Sequence, residues 1–431
     1  MLNRKITEYL LNWKQNADKK PLVIRGARQV GKTFIVDKFG KDNYKNYIYI
    51  NFEKDVDMKN VFNGNLDVDE IVQKMKLKNP NFVFEPKETL IFFDEIQKGG
   101  NCRTALKFFA LDGRYDIISS GSLLGLYHEE VDSFPVGYVE NLELQGLDFI
   151  EFCEAIGVSN EIFDLLKKNL IEKNKIDDFI HKEMLKHFIE YIIVGGMPEA
   201  VNKYINTKDF KEVDKVKKDI IAVYRDDVSK YAKETEKEKI LACFDSIPRH
   251  LSKDYKKFKY SEVSANGSSR KYGGALEFLY DAGIINYCYN INKIEFPFEG
   301  YVIDKEFKVY MKDTGLLITM LGFDIVEEIL NGNLKIYKGA IYENIIAEMF
   351  AKNEKKLYYY EKNNRLEIDF IINYMKKPTP VEVKSAENAK AKSLSTLLNN
   401  KIVDYAIKLS TNNIYEKTNV LNLPLYMAAY L

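Results

Sequence analysis

Short apolar runs alternate with amphipathic helical stretches over the first third of the chain. Strand candidates are residues 22–24, 46–53, 90–93, 115–125 and 138–144. The run at 90–93 has no polar interruption, which is typical of a strand buried on both faces of a parallel sheet. Because strands alternate with helices, residues 1–147 are predicted to form a doubly wound parallel α/β sheet.

The pattern changes after this sheet. Residues 148–235 are helical, and residues 236–335 contain three helical segments followed by an aromatic, β-branched strand. Residues 336–431 begin with a helix and continue with several strands. Since a single core seldom grows beyond about 250 residues, we expect these segments and the N-terminal sheet to be separate domains of a 431-residue chain.

The segment PLVIRGARQVGKT at 21–33 fits the phosphate-loop (Walker A) pattern G-x-x-x-x-G-K-[ST]. Glycines let backbone N–H groups approach a triphosphate, and the following helix points its N-terminus at it. Lys32 is predicted to contact the β- and γ-phosphates, and Thr33 to be a Mg²⁺ ligand. A chance glycine-rich turn is the alternative. The residues predicted to contact ATP are Gly26, Ala27, Arg28, Gln29, Val30, Gly31, Lys32, Thr33, Phe34 and Ser120.

An acidic pair follows the apolar run 90–93. At the C-terminal edge of a parallel sheet these carboxylates would lie beside the phosphate loop. Asp94 is then predicted to hold Mg²⁺ through water, and Glu95 to polarise the attacking water, so that Glu95 and Lys32 are the catalytic residues of an ATPase. Ser120, at the tip of the next strand, is predicted to read the γ-phosphate; a simple Ser/Gly turn is the alternative.

The chain contains the five motifs GARQVGKT, FFDEIQ, ISSGSLLG, FPVGYVENLELQGLDFIEF and VGGMPEAV. Together they resemble a prokaryotic family of AAA+-like ATPases of the signal-transducing type. The resemblance implies that residues 148–235 are the helical lid, with 195–201 as a loop before a helix that begins near Pro198. This loop is either a hinge or an ordinary turn. Where the family often has an Arg, this chain has Tyr138. Other candidates for an arginine finger or sensor are Arg28, Arg103, Arg114 and Arg225.

The three helices and the strand of residues 236–292 suggest a winged helix-turn-helix, with residues 268–283 as its recognition helix. Seven basic residues against two acidic ones give a local net charge of plus five between 249 and 271. The basic residues are Arg249, Lys253, Lys256, Lys257, Lys259, Arg270 and Lys271. They would contact DNA phosphates, or else form the solvated face of a packing or protein-docking module.

The C-terminal segments GAIYENIIAEMFAKN, LYYYEK, LEIDFII and PVEVKSA resemble the PD-(D/E)XK nuclease core. Period-two alternation places Glu382 and Lys384 on one strand face. The resemblance implies that Asp369 and Glu382 hold Mg²⁺, that Lys384 activates water with them, and that Glu343 approaches from the first helix. A solvated Glu-Lys strand edge is the alternative. Lysines that would line a DNA cleft are Lys376, Lys377, Lys390 and Lys392.

Composition narrows the function classes. Lys+Arg and Asp+Glu are both 64, so a nucleic-acid contact must rest on a local patch. Four scattered cysteines and four histidines argue against a disulfide framework or a structural zinc site and fit a reducing cytoplasm. The absence of a run of 18 apolar residues argues against a membrane span.

The sequence therefore predicts a cytoplasmic, Mg²⁺-dependent ATP-binding protein, a slow ATPase or nucleotide switch, coupled to a nuclease-like domain that acts on DNA. The alternative is a nucleotide-regulated DNA- or protein-binding module whose nuclease-like domain is inert. A third hypothesis is a nucleotide-sensing scaffold that never meets DNA. A protein partner and a homo-oligomer are compatible with all three.

Overall fold

A computed structural model describes residues 2–122, 137–251, 256–332, 337–363, 366–384 and 392–431. The chain forms two compact units, Asn3–Gln145 and Gly146–Leu431. Within the described ranges, every helix is too short or too polar to cross a lipid bilayer.

The first unit is built on one parallel sheet of five strands. Its strands are β1 Leu22–Gly26, β2 Asn46–Asn51, β3 Thr89–Asp94, β4 Asp116–Ser122 and β5 Glu140–Glu143, in the order β2-β3-β4-β1-β5. Its helices are α1 Lys5–Gln15, α2 Lys32–Asn43, α3 Val68–Lys78 and α4 Cys102–Asp112, with 3-10 turns at Val56–Phe62 and Ile96–Lys98. The predicted parallel α/β sheet is confirmed.

The core of this unit fixes the C-terminal end of β3. Every residue of β3 is buried, as the uninterrupted apolar run predicts. Phe93 stacks on Phe52 at 5.9 Å between ring centroids and meets Phe62 edge to face at 5.6 Å. Burying a phenylalanine side chain contributes about 1.5–3 kcal/mol, so this cluster holds the next residue, Asp94, in a well-defined place.

The second unit begins with a run of helices and continues with a mixed α/β region. Its helices are α5 Phe149–Ala155, α6 Asn160–Glu172, α7 Asp178–Val194, α8 Pro198–Thr207, α9 Phe210–Tyr231, α10 Glu234–Leu251, α11 Tyr260–Val263, α12 Ser269–Asp281, α13 Thr314–Leu321, α14 Asp324–Leu330, α15 Tyr337–Lys352 and α16 Lys392–Asn399. The predicted helical stretch 148–235 is confirmed.

One eight-stranded mixed sheet spans this unit, in the order β12-β13-β11-β10-β9-β8-β6-β7. Its strands are β6 Ile285–Ile291, β7 Val302–Met311, β8 Leu357–Lys362, β9 Leu366–Tyr374, β10 Lys377–Val383, β11 Ala406–Ser410, β12 Tyr415–Lys417 and β13 Val420–Pro424. Turns of 3-10 helix lie at Phe298–Tyr301 and Leu425–Tyr430.

Three helices followed by a β6–β7 antiparallel hairpin match the pattern expected of a winged helix. However, β6 also pairs in parallel with β8, so the hairpin belongs to the same sheet as the strands of the C-terminal segment. The winged helix and a separate nuclease-like domain therefore stay predictions. The boundary predicted between residues 335 and 336 lies outside the described residues.

The two glycines of the VGGMPEAV motif lie where three segments of the second unit meet. Gly196 N–H donates to Asp313 Oδ2 at 2.7 Å, and Gly196 O accepts from Leu147 N–H at 2.6 Å. A Cβ atom on Gly196 would collide with Leu147 O, and Gly195 has φ +79°. Only glycine tolerates both constraints. The helix then starts at Pro198, as predicted.

Candidate functional site

The phosphate loop is shaped by its glycines and by the neighbouring strand. Gln29 and Gly31 have φ of +67° and +90°, and this turn lets α2 begin at Lys32. Leu144 N–H donates to Arg25 O at 2.7 Å beside Gly26. A Cβ atom on Gly26 would collide with Leu144 O, so packing as well as phosphate access requires a glycine here.

Two side chains, those of Lys32 and Arg4, donate hydrogen bonds to main-chain carbonyl oxygens of the loop and the segment beside it. The Lys32 Nζ amine donates to Gly26 O at 2.9 Å and to Ala27 O at 2.8 Å. The buried Arg4 guanidinium donates to Gln145 O at 2.7 Å and, more weakly, to Val30 O at 3.4 Å. These hydrogen bonds fix the orientation of the carbonyl groups of Gly26, Ala27 and Val30. Phe34, by contrast, is 60% exposed on the outer side of α2.

Asp94 accepts hydrogen bonds from four side chains at the C-terminal sheet edge. Asp94 is 3% exposed, and its Oδ2 accepts from Thr33 Oγ1 at 3.1 Å. Tyr49 Oη and Asn51 Nδ2, both on β2, donate to the same oxygen at 3.0 Å. Ser120 Oγ donates to Oδ1. The sheet thus brings the predicted residues Thr33, Asp94 and Ser120 together.

Glu95 lies next to this centre in an unusual backbone conformation. Its φ is +54°, in the left-handed region, and its carboxylate is partly exposed. Gln97 Nε2 donates to Glu95 Oε2 at 2.6 Å. Gln97 itself is buried, and its Oε1 has no hydrogen-bond partner among the described residues. The left-handed backbone at Glu95 and the hydrogen bond from the buried Gln97 amide together fix the direction of the Glu95 carboxylate.

The sequence reasoning missed Tyr49, Asn51, Gln97 and Arg4. Asn51 lies directly opposite Asp94 in the β2–β3 register, so the polar end of the strand NYIYIN carried a signal for it. Gln97 falls inside the FFDEIQ motif without having been singled out. Nothing in the sequence pattern indicated Arg4, which contacts the loop from the N-cap position of α1.

The arginine candidates differ in their surroundings. Arg114 pairs with Asp69 at 2.7 Å and with Asp112 at 2.8 Å, and Arg225 pairs with Asp245. Arg103 is buried on α4. Lys107 lies 5.0 Å from the centroid of the Tyr138 ring. Residues 123–136, which include the end of ISSGSLLG and the start of FPVGYV, lie outside the described residues.

The donor set at this edge of the sheet suits a magnesium nucleotide. The Thr33 hydroxyl and the Asp94 carboxylate, 3.1 Å apart, are hard oxygen ligands of the kind that Mg²⁺ binds. A helix N-terminus and a lysine amine lie beside them, as phosphate oxygens require. The residues present therefore fit both ATP and Mg²⁺.

A second charged cluster lies in the larger unit. Asp369 Oδ2 on β9 accepts from Val383 N–H on β10 at 2.7 Å. Immediately after β10, Lys384 Nζ pairs with Glu382 Oε1 at 2.5 Å, which agrees with the predicted common face. Burial and the charge of the Glu343 carboxylate on α15 raise the pKa of Asp369. The sheet therefore places Asp369 beside the end of β10, where Glu382 and Lys384 pair.

Two further lysines enter this cluster. Lys256 pairs with Glu343, and Lys308 on β7 pairs with Glu367 at 2.5 Å and lies 3.9 Å from Glu343. Tyr310 Oη also donates to Glu343, at 3.3 Å. Lys256 was expected to contact DNA phosphates. Its amine instead neutralises a buried carboxylate.

Burial and these charges shift the pKa values in opposite directions. Burial, followed by the Glu343 carboxylate, raises the pKa of Asp369 to about 7. Burial also raises the pKa of Glu382, against the effect of Lys384. For Glu343 burial is outweighed by Lys256 and Lys308, which hold its pKa below the usual value. Likewise Glu343 and Glu367 raise the pKa of Lys308 although burial opposes them.

The expected Mg²⁺ site on Asp369 and Glu382 does not fit this arrangement. A Mg²⁺ site needs oxygen ligands that are available to the ion, whereas Glu382 and Glu343 each hold a lysine. In the described part of the chain, no group of three or more His, Cys, Asp or Glu side chains is arranged to hold a metal ion.

The net positive charge of residues 249–271 is partly neutralised in the fold by acidic residues from other parts of the chain. Lys257 pairs with Glu306 at 3.0 Å and with Glu361 at 3.2 Å, and Lys256 with Glu343. These acidic residues lie outside the counted window. Lys253, and Lys390 in the predicted DNA cleft, lie outside the described residues.

The sheet order, the loop and the acidic strand end define the first unit as a P-loop nucleotide-binding domain. Comparison with family models agrees. Residues 18–153 match a family described as AAA domain, which supports an AAA+-like P-loop ATPase fold for this part of the chain. Residues 185–326 and 338–426 match two domains of unknown function, DUF8612 and DUF4143. No curated protein matches the chain.

Similar solved structures include a Walker-type ATPase and two ORC structures with DNA. The Walker-type ATPase of Pyrococcus abyssi has a TM-score of 0.43 at 15% identity, covering 74% of this chain and 96% of that one. The ORC1 protein of Aeropyrum pernix in complex with DNA has a TM-score of 0.27 at 11% identity, covering 76% and 92%. Drosophila ORC bound to DNA has a TM-score of 0.27 at 12% identity, covering 76% and 94%. We draw no functional conclusion from likenesses at this level.

Proposed function

We propose that the protein is a Mg²⁺-dependent, slow ATPase that works as a nucleotide switch. The proposal rests on the contact between the end of the phosphate loop and Asp94. The hydroxyls of Thr33 and Ser120 both donate to this one buried carboxylate. The AAA-type family match over residues 18–153 supports the nucleotide class.

Each side chain has a defined part in this proposal. The loop N–H groups and the N-terminus of α2 bind phosphate oxygens, and the Lys32 amine leaves the carbonyls of Gly26 and Ala27 to join them. Thr33 and Asp94 hold Mg²⁺, which neutralises phosphate charge when bound. Tyr49 and Asn51 fix the Asp94 carboxylate by their hydrogen bonds.

Glu95 is the proposed general base. Its carboxylate accepts the proton of the attacking water, while Gln97 keeps it oriented through the 2.6 Å hydrogen bond. Because an ordinary acidic strand end needs no left-handed backbone, the φ of +54° at Glu95 supports a functional role.

The test compares Lys32→Ala with Lys38→Ala in calorimetry with ATP and in phosphate release with Mg²⁺. Lys38 lies on the same helix, exposed and paired with Asp42, so its removal keeps the loop intact. We expect Lys32→Ala to lose at least about a hundredfold in kcat/KM and Lys38→Ala to match the wild type. Equal phosphate release from the wild type and Lys32→Ala would remove the ATPase assignment.

A second candidate function concerns Gly146–Leu431. We propose that this unit binds DNA or a protein under control of the nucleotide and does not itself cleave DNA. The observation that favours binding over cleavage is that lysines pair with Glu343 and Glu382 in the nuclease-like cluster. Arg270 and Lys271 on α12, and Lys259 before α11, remain available as phosphate contacts.

Two measurements test this second function. Plasmid and branched DNA are incubated with Mg²⁺ and wild type, Asp369→Ala or Lys384→Ala, and we expect no cut in any sample. A metal-dependent cut by the wild type that both variants lose would establish the nuclease instead. DNA affinity is then measured against salt concentration, where phosphate contacts give a steep decline. If the protein binds no DNA even at low ionic strength, the hypothesis of a nucleotide-sensing scaffold that never meets DNA is favoured instead.

A further inference from the structure

Aromatic rings form a connected row on one face of the β6–β7 hairpin. Tyr287 and Tyr289 alternate along β6, so they share a face, and their ring centroids are 5.6 Å apart. Phe307 on β7 is the cross-strand partner of Tyr289 and lies 5.1 Å from Tyr287 between centroids. Tyr280 on α12 meets Tyr287 at 5.3 Å and is 48% exposed. We call these four rings the aromatic row.

A second aromatic group adjoins the row on the side of β8. Tyr358 is the parallel partner of Tyr289, and its ring lies 5.2 Å from that of Phe298. Phe298 in turn lies 4.7 Å from Phe296, which is 42% exposed. Scattered apolar side chains are ordinary on a protein surface, whereas a connected set of them marks an interaction surface.

Carboxylates border the aromatic row. Glu277 on α12 and Asp304 on β7 are both exposed. Burial raises the pKa of the Tyr289 hydroxyl, and Asp304 and Glu277 act in the same direction, so both charges reach the row. Glu299 acts on Tyr289 as well, but its carboxylate pairs with Lys356 at 2.5 Å. The negative charge that an incoming molecule meets at the row therefore comes from Glu277 and Asp304.

A cation is the kind of group that this surface accepts. The Lys312 amine lies 5.9 Å from the centroid of the Tyr280 ring, within the range of a cation–π contact. A guanidinium group fits better than an ammonium group, because it is planar, stacks on aromatic rings and pairs with a carboxylate through two hydrogen bonds. Phosphate groups, by contrast, would be repelled by Glu277 and Asp304.

The spacing of the rings suits an extended chain. Neighbouring centroids in the aromatic row are 5.1 to 5.6 Å apart. In an extended peptide, side chains on one side recur about every 6.6 Å, so that alternate residues can each reach a ring. Tyrosine also contributes a large contact area at a small loss of side-chain entropy, which is why it is common at protein–protein interfaces.

We infer that the aromatic row, with Glu277 and Asp304, is a docking surface for an extended, arginine-bearing segment of a partner protein. Guanidinium groups of the partner stack on the rings and pair with the two carboxylates. This inference rests on the second function proposed above, because it gives the protein alternative of that function a place and a partner chemistry. Arg270 and Lys271, which the DNA alternative uses, lie at the opposite end of α12.

The test is fluorescence anisotropy of a labelled peptide of alternating arginine and glycine, titrated with the full chain. We expect Tyr289→Leu, which keeps an apolar side chain but removes a ring of the row, to weaken binding at least about tenfold. Glu277→Gln, at an exposed helix position where folding is not at risk, should weaken it about threefold. Thermal unfolding of both variants shows that the fold is kept.

The controls vary the peptide and the charge separately. A peptide with lysine in place of arginine should bind more weakly, and one with glutamate should not bind. Glu161→Gln, at an exposed position of α6, should bind the arginine peptide as the wild type does. Arg270→Gln combined with Lys271→Gln should keep the affinity for the peptide and lower the affinity for double-stranded DNA.

Several results would overturn the inference. If the wild type does not prefer the arginine peptide to the glutamate peptide, or if Tyr289→Leu and Glu277→Gln both bind it as the wild type does, the aromatic row serves packing alone. If the wild type prefers single-stranded oligothymidylate and Tyr289→Leu loses that binding, the row stacks nucleic-acid bases instead. Peptide affinity that is equal with and without ATP would refute only the nucleotide control in the second proposed function.

Discussion

In the first unit the Lys32 amine donates to the neutral carbonyl oxygens of Gly26 and Ala27, whereas in the second unit Lys256 and Lys308 pair with carboxylates. A carbonyl leaves the positive charge of the lysine available to an incoming anion. A buried carboxylate neutralises that positive charge, and separating such an ion pair costs several kcal/mol. A lysine therefore indicates a ligand site in the first unit, whereas in the second unit it neutralises the charge of the protein's own carboxylates.

The carboxylates show the same contrast. Asp94 accepts hydrogen bonds from the uncharged side chains of Thr33, Tyr49, Asn51 and Ser120, which hold it without cancelling its charge. Glu343 instead has two lysines near it. Partners, more than the presence of an acid, decide whether a buried carboxylate has charge left for a metal ion.

The largest expected effect concerns the buried Lys308. Lys308→Met leaves Glu367 without its cation and Glu343 with Lys256 alone, and we expect a loss of about 3–5 kcal/mol in the free energy of unfolding. Urea denaturation of the full chain measures it. Lys305→Met, at an exposed position of the same strand, should change stability by less than about 0.5 kcal/mol. Equal losses in the two variants would contradict the ion-pair account.

Next in size is the effect of Glu95→Gln on hydrolysis. Without the general base we expect kcat to fall about a hundredfold or more, while the dissociation constant for ATP changes by less than about threefold. Phosphate release and calorimetry on the same protein separate the two quantities. Glu88→Gln, at an exposed site just before β3, is the control, and a comparable fall in its kcat would discredit the role of Glu95.

A smaller effect follows from the pKa of Asp369, which is raised to about 7 in the fold and is about 3.9 in an unfolded chain. Between these values the folded state binds more protons, so stability should decline as pH rises from about 4 to about 7 and level off above. Asp369→Asn removes this slope.

At pH 8 Asp369→Asn should be more stable than the wild type by roughly 2 kcal/mol, since the amide oxygen can still accept from Val383 N–H. Unfolding curves at pH 5, 6, 7 and 8 give the comparison. Asp304→Asn, at an exposed position, should keep the wild-type slope. A slope that persists in Asp369→Asn would show that another group titrates.

The smallest effect is that of Tyr49→Phe, which removes the hydroxyl that donates to Asp94 at 3.0 Å. One such hydrogen bond is worth about 1 kcal/mol, so Mg²⁺-ATP should bind about fivefold more weakly. Calorimetry with and without Mg²⁺ checks that the loss depends on the metal. Tyr9→Phe, which loses an exposed hydrogen bond to Glu140, should bind normally.

The sequence predicted the phosphate loop well because its residues are contiguous and their spacing is set by one turn. It did not identify Tyr49 and Asn51, because their role depends on β2 being the neighbour of β3 in the sheet. For Gly195 and Gly196 the pattern indicated a turn before Pro198. The need for two glycines became clear only from Leu147 and Asp313, which approach them closely.

The basic window misled for a related reason. Counting charges along the chain treats Lys256 and Lys257 as exposed, because the partners Glu306, Glu343 and Glu361 are about 50 to 100 residues away. The alternation in PVEVK, by contrast, correctly placed Glu382 and Lys384 on one face, because a strand fixes that relation locally.

The parallel pairing of β6 with β8 bears on how recombinant pieces of this protein should be made. A fragment starting near residue 337 would present β8 as an open edge, with unpaired main-chain groups that invite aggregation. It would also lack the amines that neutralise its acids. Recombinant fragments for biochemistry should therefore keep the whole unit Gly146–Leu431 in one piece.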